Sequence, residues 1–547
     1  MTGAAPFDVR EPETLSMRTR DGVRLDADVY RPAIPGDYPV LLMRQPYGRR
    51  IATTVCFAHP AWYAAQGYLV VIQDVRGRGT SEGEFRLLEQ ESDDGADAVA
   101  WAAALPGSTG AVGMYGFSYQ GVAQLLAAAS CPPELKAIAP AMIGWDLRQD
   151  WAYWNGAFCL ATNISWGVQI AAQEARYRGD ATAFAELAEA ARSLPIGRDR
   201  HARPDILDRH ACHVPHQAQW LQADPADSYW DQISPAARAT TLTANGPPAL
   251  FVSGWYDSHL TGTVAAYRAY EAAGAAAELV VGPWAHFPWG RRIADADYGD
   301  AAIGDIDMRQ IGWFDHHLKG EDRTPPAPVR LFDVGTCAWR DLPRWPQGKD
   351  GWHIGSTGRA ALDERDGTIA PLPGRTDATD RLVHDPWRPV QTVGGALGTI
   401  AGPADRTDAD ARPDVLTYTS APLDTPLTLA GDTVVELAVT ADMPSFDVSC
   451  VLTHIDACGR SRYLSEGYIH LATAPTGPVR MALRPLCATL GAGERLRLCV
   501  AAASFPAFPI NPGTGRRPVD ATVDEAEVIT LALSSGDSRV LLPVLQS

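Results

Sequence analysis

The sequence is poor in the features that would mark most alternative classes of protein. Its nine cysteines are scattered from Cys56 to Cys499 without a C-x-x-C pair, so no structural zinc site is expected. An odd cysteine count points to free thiols, and a cytoplasmic location is expected. No uninterrupted apolar run approaches the roughly eighteen residues of a membrane span. The first thirty residues interleave Asp8, Arg10, Glu11, Glu13, Arg18 and Arg20 and show no apolar secretory leader. Positive charge is in deficit, 47 Lys and Arg against 65 Asp and Glu for a net −18, which argues against nucleic acid or an anionic membrane as partner. No G-x-x-x-x-G-K-[ST] loop occurs, and the glycines of the stretch Asp74 to Gly83 fall at 77, 79 and 83, out of step with G-x-G-x-x-G. A tight structural turn is expected there. His210, His213 and His216 are spaced by three and interrupted by Pro215, so no metal ion is expected. No cofactor is implied.

What is present is a large apolar inventory, 46% of 547 residues, enough for about three domains. The first third alternates strand and helix signals: strands over Val23–Tyr30, Val40–Met43 and Tyr68–Gln73, helices over Ala61–Gln66 and Asp93–Ala104. That alternation predicts an α/β, doubly wound, largely parallel sheet. From Trp145 to about Ile233 the β signal fades and Ala171–Ala191 carries apolar residues at helical spacing, predicting a helical insertion. The α/β pattern resumes with strands at Pro248–Ser253 and Glu278–Val281 and helices at Thr261–Ala273 and Ile306–Leu318. Beyond about 355, short strands with Gly, Pro and Asp turns predict a β-sandwich or jelly roll. The expected division is 1–144 with 236–354 as the core, 145–235 as the cap and 355–547 as the β unit.

The stretch Gly113-Met-Tyr-Gly-Phe-Ser-Tyr-Gln-Gly121 carries the chemistry. A serine with glycine two residues before it, between a buried strand and an Ala-rich helix, has the form of a nucleophile elbow, although Gln120 stands where a second glycine belongs. A serine hydroxyl needs a base and a group that orients the base. In such a fold these follow in the order acid, then histidine, just past later strands. Asp257 and His286 occupy those places, and Asp257 equally fits the N-cap of the helix after it. The backbone N–H of Tyr119 is the expected first oxyanion donor. A His-Gly-Gly loop to supply the second is absent, and Tyr47, past the second strand, offers a phenol there while reading equally well as a packed aromatic. Trp151, Trp154 and Trp166 fit either the core of the insertion or an aromatic wall over the serine.

These stretches together resemble the cocaine-esterase-like (CocE/NonD) hydrolases, allied to the Xaa-Pro dipeptidyl-peptidases and the α-amino-acid ester hydrolases. The similarity lies in Arg44-Gln-Pro-Tyr47, Asp74-Val-Arg-Gly-Arg-Gly79, Gly116-Phe-Ser-Tyr-Gln-Gly121, Gly254-Trp-Tyr-Asp257, Gly282-Pro-Trp-Ala-His286 and Asn511-Pro-Gly-Thr-Gly515, so that it spans nearly the whole chain. The resemblance implies an α/β-hydrolase core, a helical cap and a jelly-roll domain. It implies Ser118 as nucleophile, His286 as base, Asp257 as orienter, and Tyr47 with the Tyr119 N–H as oxyanion donors. It makes Gly-x-Ser-Tyr-x-Gly the family's own form of the elbow. It also implies Trp154 and Trp166 as acyl-pocket aromatics, with Gln120 and His259 beside them, His259 standing where the cocaine esterases carry an aromatic. The expected substrate is a small ester or amide. Of the alternatives, peptidase or amino-acid ester hydrolase action requires a carboxylate for the substrate's amine, and Asp146, Asp150 and Glu174 are the cap acids on offer. Acyl transfer in biosynthesis and a non-catalytic binding role remain open, as does a homodimer.

Overall fold

The computed structural model describes residues 7–50, 54–196, 204–213, 219–221, 227–287, 289–323, 327–373 and 378–545. Ten strands form the first sheet: β1 (Glu13–Arg18), β2 (Arg24–Tyr30), β3 (Tyr38–Gln45), β4 (Leu69–Asp74), β5 (Ser108–Phe117), β6 (Leu135–Ala141), β7 (Ala249–Tyr256), β8 (Ala277–Ala285), β9 (Val329–Asp333) and β10 (Ala338–Leu342). Their spatial order is β1-β2-β4-β3-β5-β6-β7-β8-β9-β10. The seven from β4 to β9 run parallel, and β1, β2 and β10 are antiparallel edges. The central strands are buried on both faces, β4 and β7 over their full length, because helices cover the parallel sheet on either side. Helices α1 (Pro60–Ala65), α2 (Glu91–Ala103) and α3 (Tyr119–Ala129) connect the first strands. The connection after β3 leads to β4 and that after β4 to β5 on the opposite side of β3. The strand order therefore reverses between β3 and β5, which opens a crevice beyond their C-terminal ends.

Between β6 and β7 lies the insertion. The sequence predicts one helix over Ala171–Ala191; the structure instead has α4 (Leu160–Tyr177) and α5 (Ala181–Arg192). The break has a local cause. Gly179 takes the left-handed conformation, φ +73°, and the Asp180 carboxylate accepts the Ala183 N–H at 3.0 Å and starts the second helix. Nor is the insertion wholly helical: a π-helical turn, Arg148–Ala152, leads into a hairpin of Tyr153–Trp154 with Ala157–Phe158. Leu160, Ile164, Val168, Ala171 and Ala175 form the buried stripe of α4, at the spacing of one helix face.

After β7 and β8 come α6 (Leu260–Ala273) and α7 (Ile306–Phe314), the latter ending earlier than predicted, in a π-helical turn over Asp315–Lys319. The C-terminal unit is a second, mostly antiparallel ten-stranded sheet with its own core of Leu416, Leu437, Phe446, Val448, Leu498 and Leu531. It packs on the insertion, where Leu160 and Ala161 donate their N–H groups to the carbonyls of Ala507 and Pro506. Among the described residues no helix is long and apolar enough to cross a membrane, and all nine cysteines are free thiols.

Candidate active site

Ser118 follows the last residue of β5 and precedes the first of α3, with φ +59° and ψ −128°. A non-glycine residue held there costs about 1–3 kcal/mol, and the surroundings must over-determine it. They do so through two glycines. A Cβ on Gly116 would stand 2.5 Å from Cβ of Gln120; one on Gly121 would stand 2.3 Å from Cγ2 of Ile143 and 2.9 Å from the Ala141 carbonyl. Position 120 carries a full side chain, and the Gln120 amide oxygen turns back to accept the Phe117 N–H at 3.3 Å. The glycine requirement thus falls at 121 rather than 120, which accounts for the irregular elbow. The Ser118 N–H donates to the Ala141 carbonyl at 2.9 Å, tying the turn to β6.

The Tyr119 N–H is the first of α3 and has no intrahelical acceptor. Its phenol points away from the serine and donates to the buried Glu91 carboxylate at 3.1 Å, which in turn pairs with Arg44 at 3.2 Å. Tyr47 follows β3, the neighbour of β5, and lines the same cavity as Ser118. Helix α4 fixes it twice: Trp166 Nε1–H donates to the phenol oxygen at 3.3 Å and Gln173 Nε2–H to the Tyr47 carbonyl at 2.6 Å. Burial raises the pKa of this phenol against the smaller opposing effects of Trp166 and Ser118, so it stays protonated.

Asp257 and His286 leave adjacent parallel strands, β7 and β8, immediately past their ends. The Asp257 carboxylate is fully buried. It accepts His286 Nδ1–H at 2.9 Å and the His259 N–H at 3.2 Å on one oxygen and the Ser253 hydroxyl at 2.9 Å on the other. Burial acts to raise its pKa, but the hydrogen bond and charge of His286, with the His259 backbone N–H, outweigh that and leave it below the ordinary carboxylate value. The bond to the His259 N–H closes the turn before α6, so one side chain serves both the turn and the histidine. With Nδ1–H spent on Asp257, Nε2 is the basic nitrogen. The imidazole is held between Phe117, His259 and Phe287, ring centroids 5.5, 5.2 and 4.9 Å away.

Ser118, His286 and Tyr47 line one cavity of about 440 Å³. Among the described residues no direct Ser118–His286 hydrogen bond is formed, and such contacts commonly tighten only when substrate is bound. Gln120, His259 and Trp166 line the cavity, as does Trp151, edge-on to His259 at 4.7 Å. Trp154 does not. Its indole packs on Phe508 at 6.2 Å and near the Arg484 guanidinium at 5.9 Å, because the π-helical turn and hairpin change the side-chain phase between positions 151 and 154. Burial pushes His259 down to about 4, so it is a neutral wall. Sequence reasoning missed the far wall, formed by Ala396, Gly398, Thr399 and Ala401 of a C-terminal loop with no local signal. No Asp, Glu, Lys or Arg is among the described residues lining the cavity. Asp146 caps Arg148 and Gln149, Asp150 accepts two N–H groups from Trp145 and Asp146, and Glu174 pairs with Arg78 and Arg178.

The other motifs have structural explanations. Gly79 passes so close to the buried Asp74 carboxylate, which is paired with Arg49, that a Cβ there would overlap it. His210 and His213 bind Glu186 and Asp180, and His216 lies outside the described residues. Among the described residues no cluster of three metal-ligating side chains occurs.

Residues 21–288 match the model of the X-Pro dipeptidyl-peptidase (S15 family), and residues 320–540 that of the X-Pro dipeptidyl-peptidase C-terminal non-catalytic domain. The cocaine esterase of Rhodococcus sp. (strain MB1 Bresler) is 31% identical over 568 residues, covering 96% of this chain and 97% of the relative. Among solved structures, an α-amino acid ester hydrolase superposes with a TM-score of 0.79 at 21% identity, covering 100% of this chain and 98% of that one. A CocE/NonD family hydrolase from Staphylococcus aureus superposes with a TM-score of 0.70 at 16% identity, covering 98% and 94%. At those identities the two structures speak for the fold alone. The end-to-end match to the Rhodococcus enzyme, through core, insertion and C-terminal sheet alike, means that this chain belongs to the CocE/NonD family of hydrolases.

Proposed function

We propose that the protein is a serine esterase that cleaves esters of small, uncharged acyl groups through an acyl-enzyme. One observation carries the reading: the buried Asp257–His286 pair, 2.9 Å apart, opens onto the cavity that holds the elbow serine. In the proposed cycle Ser118 Oγ attacks the ester carbonyl and its proton passes to His286 Nε2. Asp257 stabilises the resulting imidazolium and keeps it correctly oriented. Negative charge on the carbonyl oxygen is met by the Tyr119 N–H and the Tyr47 O–H. Collapse expels the alcohol with the proton from His286. Water, deprotonated by the same imidazole, then attacks the acyl-serine and releases the acid. The wall of tryptophans, Ala161, Phe117 and neutral His259 favours an uncharged acyl group over a free-amine substrate, whose ammonium would need a carboxylate. That the Rhodococcus relative is a cocaine esterase is in keeping with this preference.

Ser118→Ala is expected to abolish turnover of p-nitrophenyl acetate and labelling by a fluorophosphonate probe. Retained labelling would overturn the assignment of the nucleophile.

A further inference from the structure

The C-terminal sheet unit sends one buried cation into the hydrolase core. Arg484, between the strands Val479–Ala482 and Leu486–Leu490, is 2% exposed. Its Nη2 donates to the backbone carbonyl of Asp257 and its Nη1 to that of Ser258 at 3.4 Å. The Asp257 carbonyl also accepts the Leu260 N–H at 3.2 Å, so the fork grips the turn that carries the acid into α6. Its charge is faced by Glu466, also buried, whose carboxylate accepts the Ala396 N–H at 3.0 Å and so holds the far cavity wall. Arg484 is itself fixed: its N–H donates to the Glu466 carbonyl at 2.8 Å and its carbonyl accepts the Ser465 hydroxyl at 2.5 Å.

Taking a guanidinium out of water is unfavourable by several kcal/mol unless it is well paired. Here it is directed at two successive carbonyls, one on each side of the Ser258 Cα, and does not line the cavity. The planar fork sets a direction as well as a distance. The angle at which the Asp257 carboxylate meets His286 Nδ1 is inherited from this turn.

We propose that Arg484 is a positioning residue for the esterase reaction, a clamp from the C-terminal unit that sets the aim of Asp257 at His286. The inference rests on the proposed triad. A positioning role predicts a loss confined to the chemical step. Arg484→Ala should lower kcat on p-nitrophenyl acetate by roughly ten- to hundredfold, the scale of a misplaced catalytic group, with KM within about twofold of wild type. Millimolar guanidinium should restore part of the loss. In an Asp257→Asn background, where there is no carboxylate to aim, Arg484→Ala should lower kcat by less than about twofold further, because residues acting as a unit are non-additive. Should Arg484→Ala fail to fold, Arg484→Lys, which keeps the buried charge but not the fork, should show the same split with a smaller fall in kcat. An unchanged kcat, or the same fold-loss in both backgrounds, would overturn the clamp and leave the triad standing. Full activity of Asp257→Asn alone would instead overturn the triad.

Discussion

Replacing Tyr47 by phenylalanine takes one hydroxyl from the cavity wall and leaves the ring. In the native protein the phenol oxygen accepts Trp166 Nε1–H at 3.3 Å, and the backbone carbonyl of Tyr47 accepts Gln173 Nε2–H at 2.6 Å. With one lone pair committed to the indole, the phenolic hydrogen is free to turn to the Ser118 side. Burial keeps the phenol protonated, so the donor does not fade as the reaction is run at alkaline pH. A single preorganised donor to a developing oxyanion is worth about 2.7–4 kcal/mol, or roughly 10²–10³ in kcat. The ground-state carbonyl carries little charge, so KM should stay within about threefold. Initial rates on p-nitrophenyl acetate, with active sites counted from the burst of p-nitrophenol, measure this directly. Trp166→Phe, which removes the indole donor but keeps the phenol, should cost less than Tyr47→Phe. A Tyr47→Phe enzyme whose kcat lies within about threefold of wild type would refute the reasoning and leave the Tyr119 N–H as the working donor.

Gly121→Ala would place a Cβ 2.3 Å from Ile143 Cγ2, and overpacking of this kind should lower stability by about 1–3 kcal/mol, read from the denaturant midpoint; an unshifted midpoint would contradict the account of the elbow. Burial pushes the Asp150 carboxyl up to about 7, above its unfolded value, so its ionisation opposes folding progressively as pH rises from about 4 towards 7. Asp150→Asn should therefore gain in melting temperature over wild type as pH rises from about 4 to 7 and hold that gain above it, and a difference that stays flat across that window would count against that burial. Because no carboxylate faces the cavity among the described residues, a neutral p-nitrophenyl ester should be turned over with far higher kcat/KM than Gly-Pro p-nitroanilide. Comparable values would return the peptidase reading to the front.

Most core strands were legible because each carries a short apolar run, as in Val40–Met43, Leu69–Ile72 and Leu279–Val281, and a parallel sheet buries both faces. The relation of Ser118, Asp257 and His286 was legible for the same reason: each stands one residue past a strand, and parallel strands deliver their ends to one edge. The pocket was less so. Trp154 and Trp151 differ by three positions, a near-repeat in a helix, and only the π-helical turn and the hairpin decide which of them faces the serine. Arg484 and Glu466 gave no signal at all, since burial of a charge is decided by a partner far along the chain. The break at Gly179-Asp180 could have been read from glycine followed by a capping acid, but the alanine-rich periodicity on either side masked it.

Helix α4 roofs the pocket and also grips Tyr47 at both its side chain and its backbone. The cavity-lining helix and the phenol are in this way mechanically interlocked. Any displacement of the helix that broke these two hydrogen bonds would free the phenol and, under the proposed mechanism, cost an oxyanion donor. Re-engineering the entrance for larger substrates by loosening this helix would therefore trade away turnover, whereas widening the opposite rim, at Val55 and Phe287, would leave the interlock untouched.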